Sequence, residues 1–320
     1  MRRRTVDGRL RRIGVSTLVV LIVSLLVGGV DAALAWNDTA HQVIALIAWE
    51  RLSDGVRGTV VEVLRQAPPD AGLARLLAQD RRPWPVRQRE FFRRASTWPD
   101  LVRHLDLADR GRYHRPTWHY RNFFWRQGPN GPVELPGIPV DSENVVERLD
   151  HFRALLADTG SSPRARAIAL AWLLHLVGDV HQPFHCSSRV TRREPEGDLG
   201  GNLFRLGPST DNLHSYWDRM LDRAIARYPT ESTGAYLARA AALVVGRHPR
   251  ISLEGDLKPG KFEDWARESL AEAKRAYPPT LRRGQDPPAA YAQWASTVAI
   301  ERSARAGYRL AGLLEELYGP

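Results

Sequence analysis

The chain has 320 residues, with 46 lysines and arginines against 36 aspartates and glutamates, 43 % hydrophobic and 26 % charged residues, and a formal charge of +10. That balance excludes a disordered or fibrous chain and leaves enough apolar sequence for a substantial core. The single cysteine, Cys186, excludes an intramolecular disulfide, so a form exported from the cytosol needs another source of rigidity.

The first 35 residues read as an export signal. Six arginines (Arg2, Arg3, Arg4, Arg9, Arg11, Arg12) precede an uncharged apolar run from Ile13 to Val30, and Ala33-Leu34-Ala35 supplies a small-x-small cleavage pattern. Cleavage after Ala35 leaves a secreted or periplasmic domain of residues 36–320 that begins at Trp36. The competing reading is an uncleaved anchor, because the run approaches the ~20 residues that span a bilayer; Gly28-Gly29 and Asp31 interrupt it before the cleavage pattern. Arg11-Arg12 leave the export route open. Removing residues 1–35 takes away six arginines and two aspartates and lowers the formal charge from +10 to +6. A basic surface of that size favours polyanions without specifying one.

Residues 40–52 have helical apolar spacing with Asp38 or Thr39 as cap. The arginine-rich stretch 79–94 and the aromatic, Gly- and Pro-bearing stretch 109–140 read as long ordered loops over one face, the arginines either facing water or touching substrate. Ser142 precedes the stripe Val145, Val146, Leu149, Phe152, Leu155 and Leu156, and Ser162-Pro163 starts a helix running to about Val180. A short ribbon is expected over residues 203–206, after Gly200-Gly201. One helix is expected over residues 213–228, and others over 232–246, 261–276 and 288–315. With no linker-like segment, the chain reads as one mainly α domain.

His175 and Asp179 lie four residues apart, on one face of a predicted helix, and His214 and Asp218 repeat the spacing. His185 follows just past the first pair. Either pair alone reads as a self-satisfied structural hydrogen bond. Together, with His41 five residues after the expected new terminus, they form a nitrogen and carboxylate set suited to zinc.

On these residues the chain resembles the S1/P1 nuclease family. The motifs are Trp36 with His41, Thr97-Trp98-Pro99-Asp100 followed by Arg103, Trp118-His119-Tyr120, His175-x3-Asp179-x5-His185, Gly200-Gly201-Asn202 and Asn212-Leu213-His214-x3-Asp218, and the likeness spans residues 36–310. The resemblance implies a single helical domain of the S1/P1 nuclease and zinc phospholipase C type. It also implies a zinc-dependent endonuclease that cuts single-stranded DNA and RNA to 5′-phosphomononucleotides and removes the phosphate of 3′-nucleotides. Three Zn2+ per chain are implied: one on Asp100, His119, His175 and Asp179, a second on His185, His214 and Asp218, and a third on the amine and carbonyl of Trp36, His41 and the other oxygen of Asp179. The last set requires cleavage, since an acylated Trp36 nitrogen has no lone pair to donate.

The same resemblance gives Arg103 and Asp100 catalytic roles, with Arg103 clamping the charge that builds on the phosphoryl group. Tyr120 is the implied stacking platform for a base. Asn122 stands where the family carries an Asp, so it offers the base edge both a donor and an acceptor. Pro99 replaces the usual small residue beside Asp100. The lone Cys186 cannot make the disulfides of eukaryotic members, which points to a bacterial-type member rigidified by its metals; as a zinc thiolate it is surplus to a full ligand set. His104, His114, His151, His181 and His248 carry no assigned role and read as packing or solvent-facing residues; the alternative for His181, between two ligands, is to orient a carboxylate.

Two alternatives stay open. A zinc phospholipase C-like phosphodiesterase shares the fold but has a Glu as last ligand and a longer spacing from the terminal Trp to the first His, whereas here the last ligand is Asp218 and the spacing is five. A zinc-stabilised, non-catalytic secreted binding protein would close its sites with four protein ligands, whereas His185, His214 and Asp218 leave a position open. No lasting membrane association after cleavage and no obligate protein partner are expected.

Overall fold

The computed structural model describes residues 36–320 except Asp106 and residues 209–211. The arginine run, the apolar stretch and the cleavage pattern of residues 1–35 lie outside the described residues.

The first helix, α1 (Asp38–Trp49), starts where the Asn37 carboxamide accepts from the Ala40 N–H at 3.3 Å, so the cap is Asn37 and not the expected Asp38 or Thr39. Helix α2 (Asp54–Arg65) follows under a Ser53 cap and buries Val56, Val60, Val61 and Leu64. The expected loop over residues 79–94 is instead α3 (Trp84–Ala95) for most of its length. Pro85 is tolerated in the first turn, where its missing N–H has no intrahelical partner to lose, and Phe91, Phe92 and Ala95 bury while the flanking arginines hide the stripe from a periodicity reading. Two short helices, α4 (Trp98–Leu101) and α5 (Leu107–Tyr113), come next.

The second expected loop, 109–140, also holds regular structure. After a 3-10 turn at Pro116–His119, β1 (Phe124–Gly128) and β2 (Gly131–Glu134) form a hairpin in register Trp125 to Glu134. Its Gly-Pro-Asn-Gly connection uses Gly131 at φ 120°. Only Trp125 of these strand residues is deeply buried, so the alternation that marks a strand is nearly absent.

Helices α6 (Val145–Ala157), capped by Asn144, and α7 (Pro163–Asp179), capped by Ser162, match the predicted stripes. Every residue of α7 from Ala169 to Asp179 is buried, which makes it the central helix of the molecule. A 3-10 turn at Pro183–Cys186 leads into β3 (Ser188–Arg189), which pairs parallel to β1. The ribbon expected over 203–206 does not form: Gly200 (φ 60°) and Gly201 (φ 82°) curl the backbone, Phe204 and Leu206 turn into an apolar cluster with Trp217 and Tyr291, and only an isolated Arg205 to Asn212 bridge remains. The single helix expected over 213–228 is two, α8 (Leu213–Asp218) and α9 (Met220–Ala224), broken at Arg219 (φ −97°, ψ 12°), and Tyr228 is left exposed. Helices α10 (Thr233–Arg247), α11 (Phe262–Arg275) and α12 (Ala289–Tyr318) complete twelve α-helices among the described residues. The fold is thus mainly α, with one three-stranded sheet in the order β2-β1-β3.

Helix α12 crosses α1 closely because Gly307 has no side chain; a Cβ there would lie 2.5 Å from Ile47. Farther back along α12, Arg302 and Arg309, both buried, converge on Glu268 of α11 with N to O distances of 2.6 and 2.7 Å. Arg309 also donates to His181 Nε2 at 2.8 Å, while His181 Nδ1 donates to the Val177 carbonyl at 2.7 Å. His181 is therefore a core histidine, held neutral by burial and by the two arginines, and it orients no carboxylate. Arg302 Nε, at 3.2 Å from the His181 carbonyl, ties this network to the turn that follows α7.

Burial works against a charged Glu268, but Arg309 and Arg302 outweigh it and lower its pKa to about 2. A carboxylate depressed in the folded state stabilises fully above its unfolded pKa, near 4.5, and loses that contribution as pH falls toward 2. Glu268→Gln should therefore cost about 2–3 kcal/mol at pH 7, toward the lower end for a broken buried pair because Glu268 is one-third exposed. The gap from wild type in urea unfolding should shrink between pH 4.5 and 2; an unchanged gap over that window would refute the role given to this pair.

Candidate metal centre

The last two turns of α7 carry His175 and Asp179, both fully buried. His175 Nδ1 donates to the Ser96 carbonyl at 2.8 Å, which aims Nε2 at Asp179 Oδ2 (3.2 Å) and Asp100 Oδ2 (3.8 Å). The same device recurs twice. His185, brought in by the 3-10 turn, donates from Nδ1 to the His119 carbonyl at 2.9 Å, and His214 of α8 donates from Nδ1 to the Gly200 carbonyl at 2.7 Å. Each bond orients its ring and turns Nε2 toward the cluster. His185 Nε2 then lies 3.7 Å from Asp218 Oδ1, and His214 Nε2 lies 3.6 Å from Asp218 Oδ2.

Three further residues close the cluster. His119, at the end of its 3-10 turn, sets Nδ1 2.8 Å from Asp179 Oδ2 and 3.2 Å from His175 Nε2. His41 of α1 stacks on His175 with ring centroids 3.9 Å apart and reaches Asp179 Oδ1 at 3.5 Å. Asp100 comes from α4, with the half-buried Arg103 guanidinium 3.8 Å from its Oδ1. Close approach needs two glycines: a Cβ on Gly178 would lie 2.6 Å from His41 Nδ1, and one on Gly200 would lie 2.4 Å from the Phe184 carbonyl.

The set is short of protons. Both nitrogens of His41, Asp179 Oδ1, His185 Nε2, His214 Nε2 and Asp218 Oδ2 are buried with no hydrogen-bond partner. Buried polar atoms are nearly always paired, and six unpartnered ones on the residues of one cluster fit the binding of a cation or cations. The donor atoms fall into three groups, each within 4.8 Å: His41, Asp100 and His175; His119, His175 and Asp179; and His185, His214 and Asp218. Imidazole nitrogen with carboxylate oxygen is a zinc-type donor set.

The titration directions agree. Around Asp218, burial pushes the carboxyl up to about 7 against the pull of His214 and Gln182, and burial lowers His185 to about 4 and His214 below its ordinary range. In the other part burial would lower His175, but Asp179 and Asp100 raise it to about 9; burial opposes ionisation of Asp179, yet His175 and His185 hold it well below the carboxylate range. A proton and a metal would therefore compete for His175.

Trp36, the expected terminal ligand, is fully buried, and the next residue ties the backbone to the cluster: Asn37 N–H donates to the Asp218 carbonyl at 3.2 Å and its carboxamide donates to Asp222. The Tyr120 ring lies 4.7 Å from that of His185 and 5.9 Å from that of His214. Asn122 is half-buried just before β1. Cys186 points away, with Sγ 3.6 Å from the Val180 carbonyl and a thiol pushed up to about 12 by burial, which makes it a poor thiolate ligand. His104 and His151 are exposed, and His114 and His248 are half-buried.

Sequence reading missed Gly178 and Gln182. Gln182 donates to Asp218 Oδ1 at 2.8 Å while its own oxygen accepts from the Phe184 N–H at 2.6 Å, so one carboxamide fixes both a carboxylate and the ligand turn. A glycine inside an otherwise apolar helix, and a carboxamide between two histidines, were the available signals.

The model of the S1/P1 Nuclease family matches residues 36–319. Among curated proteins, the chain is 26 % identical over 211 residues to Endonuclease 1 of Arabidopsis thaliana, covering 64 % of this chain and 60 % of that protein. It is 22 % identical over 153 residues to Nuclease S1 of Aspergillus oryzae, covering 46 % and 45 %, and 24 % identical over 194 residues to Nuclease P1 of Penicillium citrinum, covering 54 % and 66 %. The aligned stretches thus span between about half and two thirds of the length of these relatives.

Gly178→Ala tests the packing of His41. The added methyl group should push the imidazole from Asp179 and remove about one metal ion per chain, read by elemental analysis of purified protein, with cooperative unfolding retained. Wild-type metal content in the variant would show that His41 takes no part.

Proposed function

The chain belongs to the S1/P1 nuclease family, and from that premise we propose that it is a zinc-dependent phosphodiesterase that hydrolyses single-stranded DNA and RNA to 5′-phosphomononucleotides and dephosphorylates 3′-nucleotides. The observation that carries this reading is the buried set of unpartnered imidazole and carboxylate atoms. Asp100, His119, His175 and Asp179 would hold one zinc, His185, His214 and Asp218 a second, and the Trp36 amine and carbonyl, His41 and Asp179 a third.

Bound zinc supplies Lewis acidity toward a phosphoryl oxygen and lowers the pKa of water toward 7. Three buried aspartates offset about half of the six positive charges that three such ions would bring, which leaves a centre that favours a phosphodiester anion. Arg103 stands at its edge, half-buried, with an Nε that lacks a hydrogen-bond partner. Its guanidinium is placed to donate to phosphoryl oxygens as charge builds there, while Asp100 holds it in line. Tyr120, packed on His185 and His214, presents a ring for a base to stack on, and the Asn122 carboxamide reads a base edge as donor and acceptor together.

The same reading makes residues 1–35 a signal removed after Ala35, giving a secreted or periplasmic protein. Support comes from the Asn37 N–H bond to the Asp218 carbonyl, which ties the backbone next to residue 36 to a residue of the cluster.

Single-stranded DNA, RNA, a 3′-nucleotide and phosphatidylcholine, offered side by side, should give hydrolysis of the first three and none of the lipid, with loss of activity on chelation. Lipid turnover alone would replace the reading with a phospholipase. Arg103→Lys should lower kcat on DNA by about a hundredfold with KM little changed, the signature of an interaction made chiefly in the transition state. A change below about twofold would remove Arg103 from the mechanism.

A further inference from the structure

A metal ligand carried on the first residue of a chain starts at a disadvantage, because chain ends fray unless something ties them down. Here the residue after it is tied three times. The Asn37 main-chain N–H donates to the Asp218 carbonyl at 3.2 Å, its side-chain oxygen caps α1 by accepting from the Ala40 N–H at 3.3 Å, and its side-chain nitrogen donates to Asp222 Oδ2. Asp218 is a member of the cluster, whereas Asp222, four residues on in α9, belongs to none of its three donor groups.

The other oxygen of Asp222 is committed as well. Oδ1 accepts from the Tyr236 hydroxyl of α10 at 2.7 Å, and that hydroxyl also lies 2.9 Å from the Ile225 carbonyl just past α9. Tyr236 is buried, so a core side chain fixes the carboxylate from behind. An ionised carboxylate only accepts, which suits the amide and phenol donors that face it, and bonds to a charged acceptor are stronger than neutral ones. Peptide geometry carries the constraint back to residue 36. Its carbonyl shares a plane with the Asn37 N–H and points opposite to it, so holding that N–H on Asp218 sets the direction of the carbonyl. Rotation about ψ of residue 36 is then enough to bring the amine alongside.

We propose that Asp222, locked by Tyr236, is the positioning residue of the amino-terminal metal ligand: by gripping the Asn37 carboxamide it keeps the residue 36 amine and carbonyl where the third zinc takes them. The inference rests on the zinc reading above, which supplies the ion. Partners that aim a ligand without touching the metal are worth about tenfold to a hundredfold in affinity. The effect should fall on one ion of three, since three histidines of the other two sets are aimed by the Ser96, His119 and Gly200 carbonyls.

The test is zinc affinity, measured on the zinc-loaded protein by dialysis against buffered zinc and elemental analysis, with intact mass confirming that each variant begins at Trp36. Wild type should hold three ions, and Asp222→Ala should weaken one of them at least about tenfold and leave the other two unchanged. Asn37→Asp keeps a good helix cap but sets two carboxylates face to face, and should weaken the same ion. Combining Asn37→Asp with Asp222→Asn restores a donor and an acceptor with their roles exchanged, and should return that ion to within about threefold of wild type. Tyr236→Phe, which keeps the buried ring and removes one hydrogen bond, should weaken it about fivefold. A merely structural role would weaken all three ions together, or show only in urea unfolding, and the exchanged pair would rescue nothing; either result overturns the proposal. Three ions held equally well by wild type and Asp222→Ala would sink this inference and leave the zinc reading standing. A wild type that begins at Trp36 and saturates at two ions would remove the third site, and this role with it.

Discussion

Everything at the centre of this protein follows from one electrostatic constraint: imidazole nitrogens and carboxylate oxygens are held together out of water with too few protons to satisfy them. Such a cluster costs several kcal/mol unless a cation occupies it or protons are taken up to neutralise it. The fold is arranged to enforce that geometry. The far nitrogen of each of three histidines is tied to a main-chain carbonyl of Ser96, His119 or Gly200, so none of the three rings can turn away. Gly178 and Gly200 keep the backbone from filling the space that His41 and the ligand turn occupy.

Behind the cluster a second buried charge system performs a different task. Arg302, Arg309, Glu268 and His181 form a network in which every charge has a partner, and Arg302 grips the carbonyl at the start of the turn that carries His185. This contrast separates scaffold from site. Where each charged group has a hydrogen-bond partner, as around Glu268, the network contributes rigidity; where buried atoms lack one, as at Asp179 Oδ1 and Asp218 Oδ2, the cluster leaves room for a ligand. A chain with one buried cysteine has no disulfide to close its long loops, and in the proposed reading matched ion pairs and bound metals stand in for it.

The legibility of this structure in its sequence followed physical lines. Continuous apolar stripes after a serine or asparagine cap, as in α6 and α7, were readable because burial, capping and periodicity agree there. Helix α3 was not, since its four arginines, Arg93 buried among them, break up the apolar pattern of Phe91, Phe92 and Ala95, and the β1-β2 hairpin was not, since it buries little besides Trp125. Residues 203–206 have strand-like composition, but the left-handed glycines before them spend the backbone on a turn. At the site, the i, i+4 spacing of His175 with Asp179 and of His214 with Asp218 was plain. Asp100, His119 and Arg103 came only through family resemblance, because distant segments converge without a local pattern. The carbonyls that aim the histidines left no side-chain trace at all.

Maturation and metal loading are joined in this account, because the proposed third site borrows an amine that exists only after cleavage. Intact mass and metal analysis of the same exported sample therefore test it most directly. The account predicts a chain beginning at Trp36 and three zinc ions per molecule. A longer amino terminus carrying three zincs, or a chain starting at Trp36 that saturates at two, would contradict it.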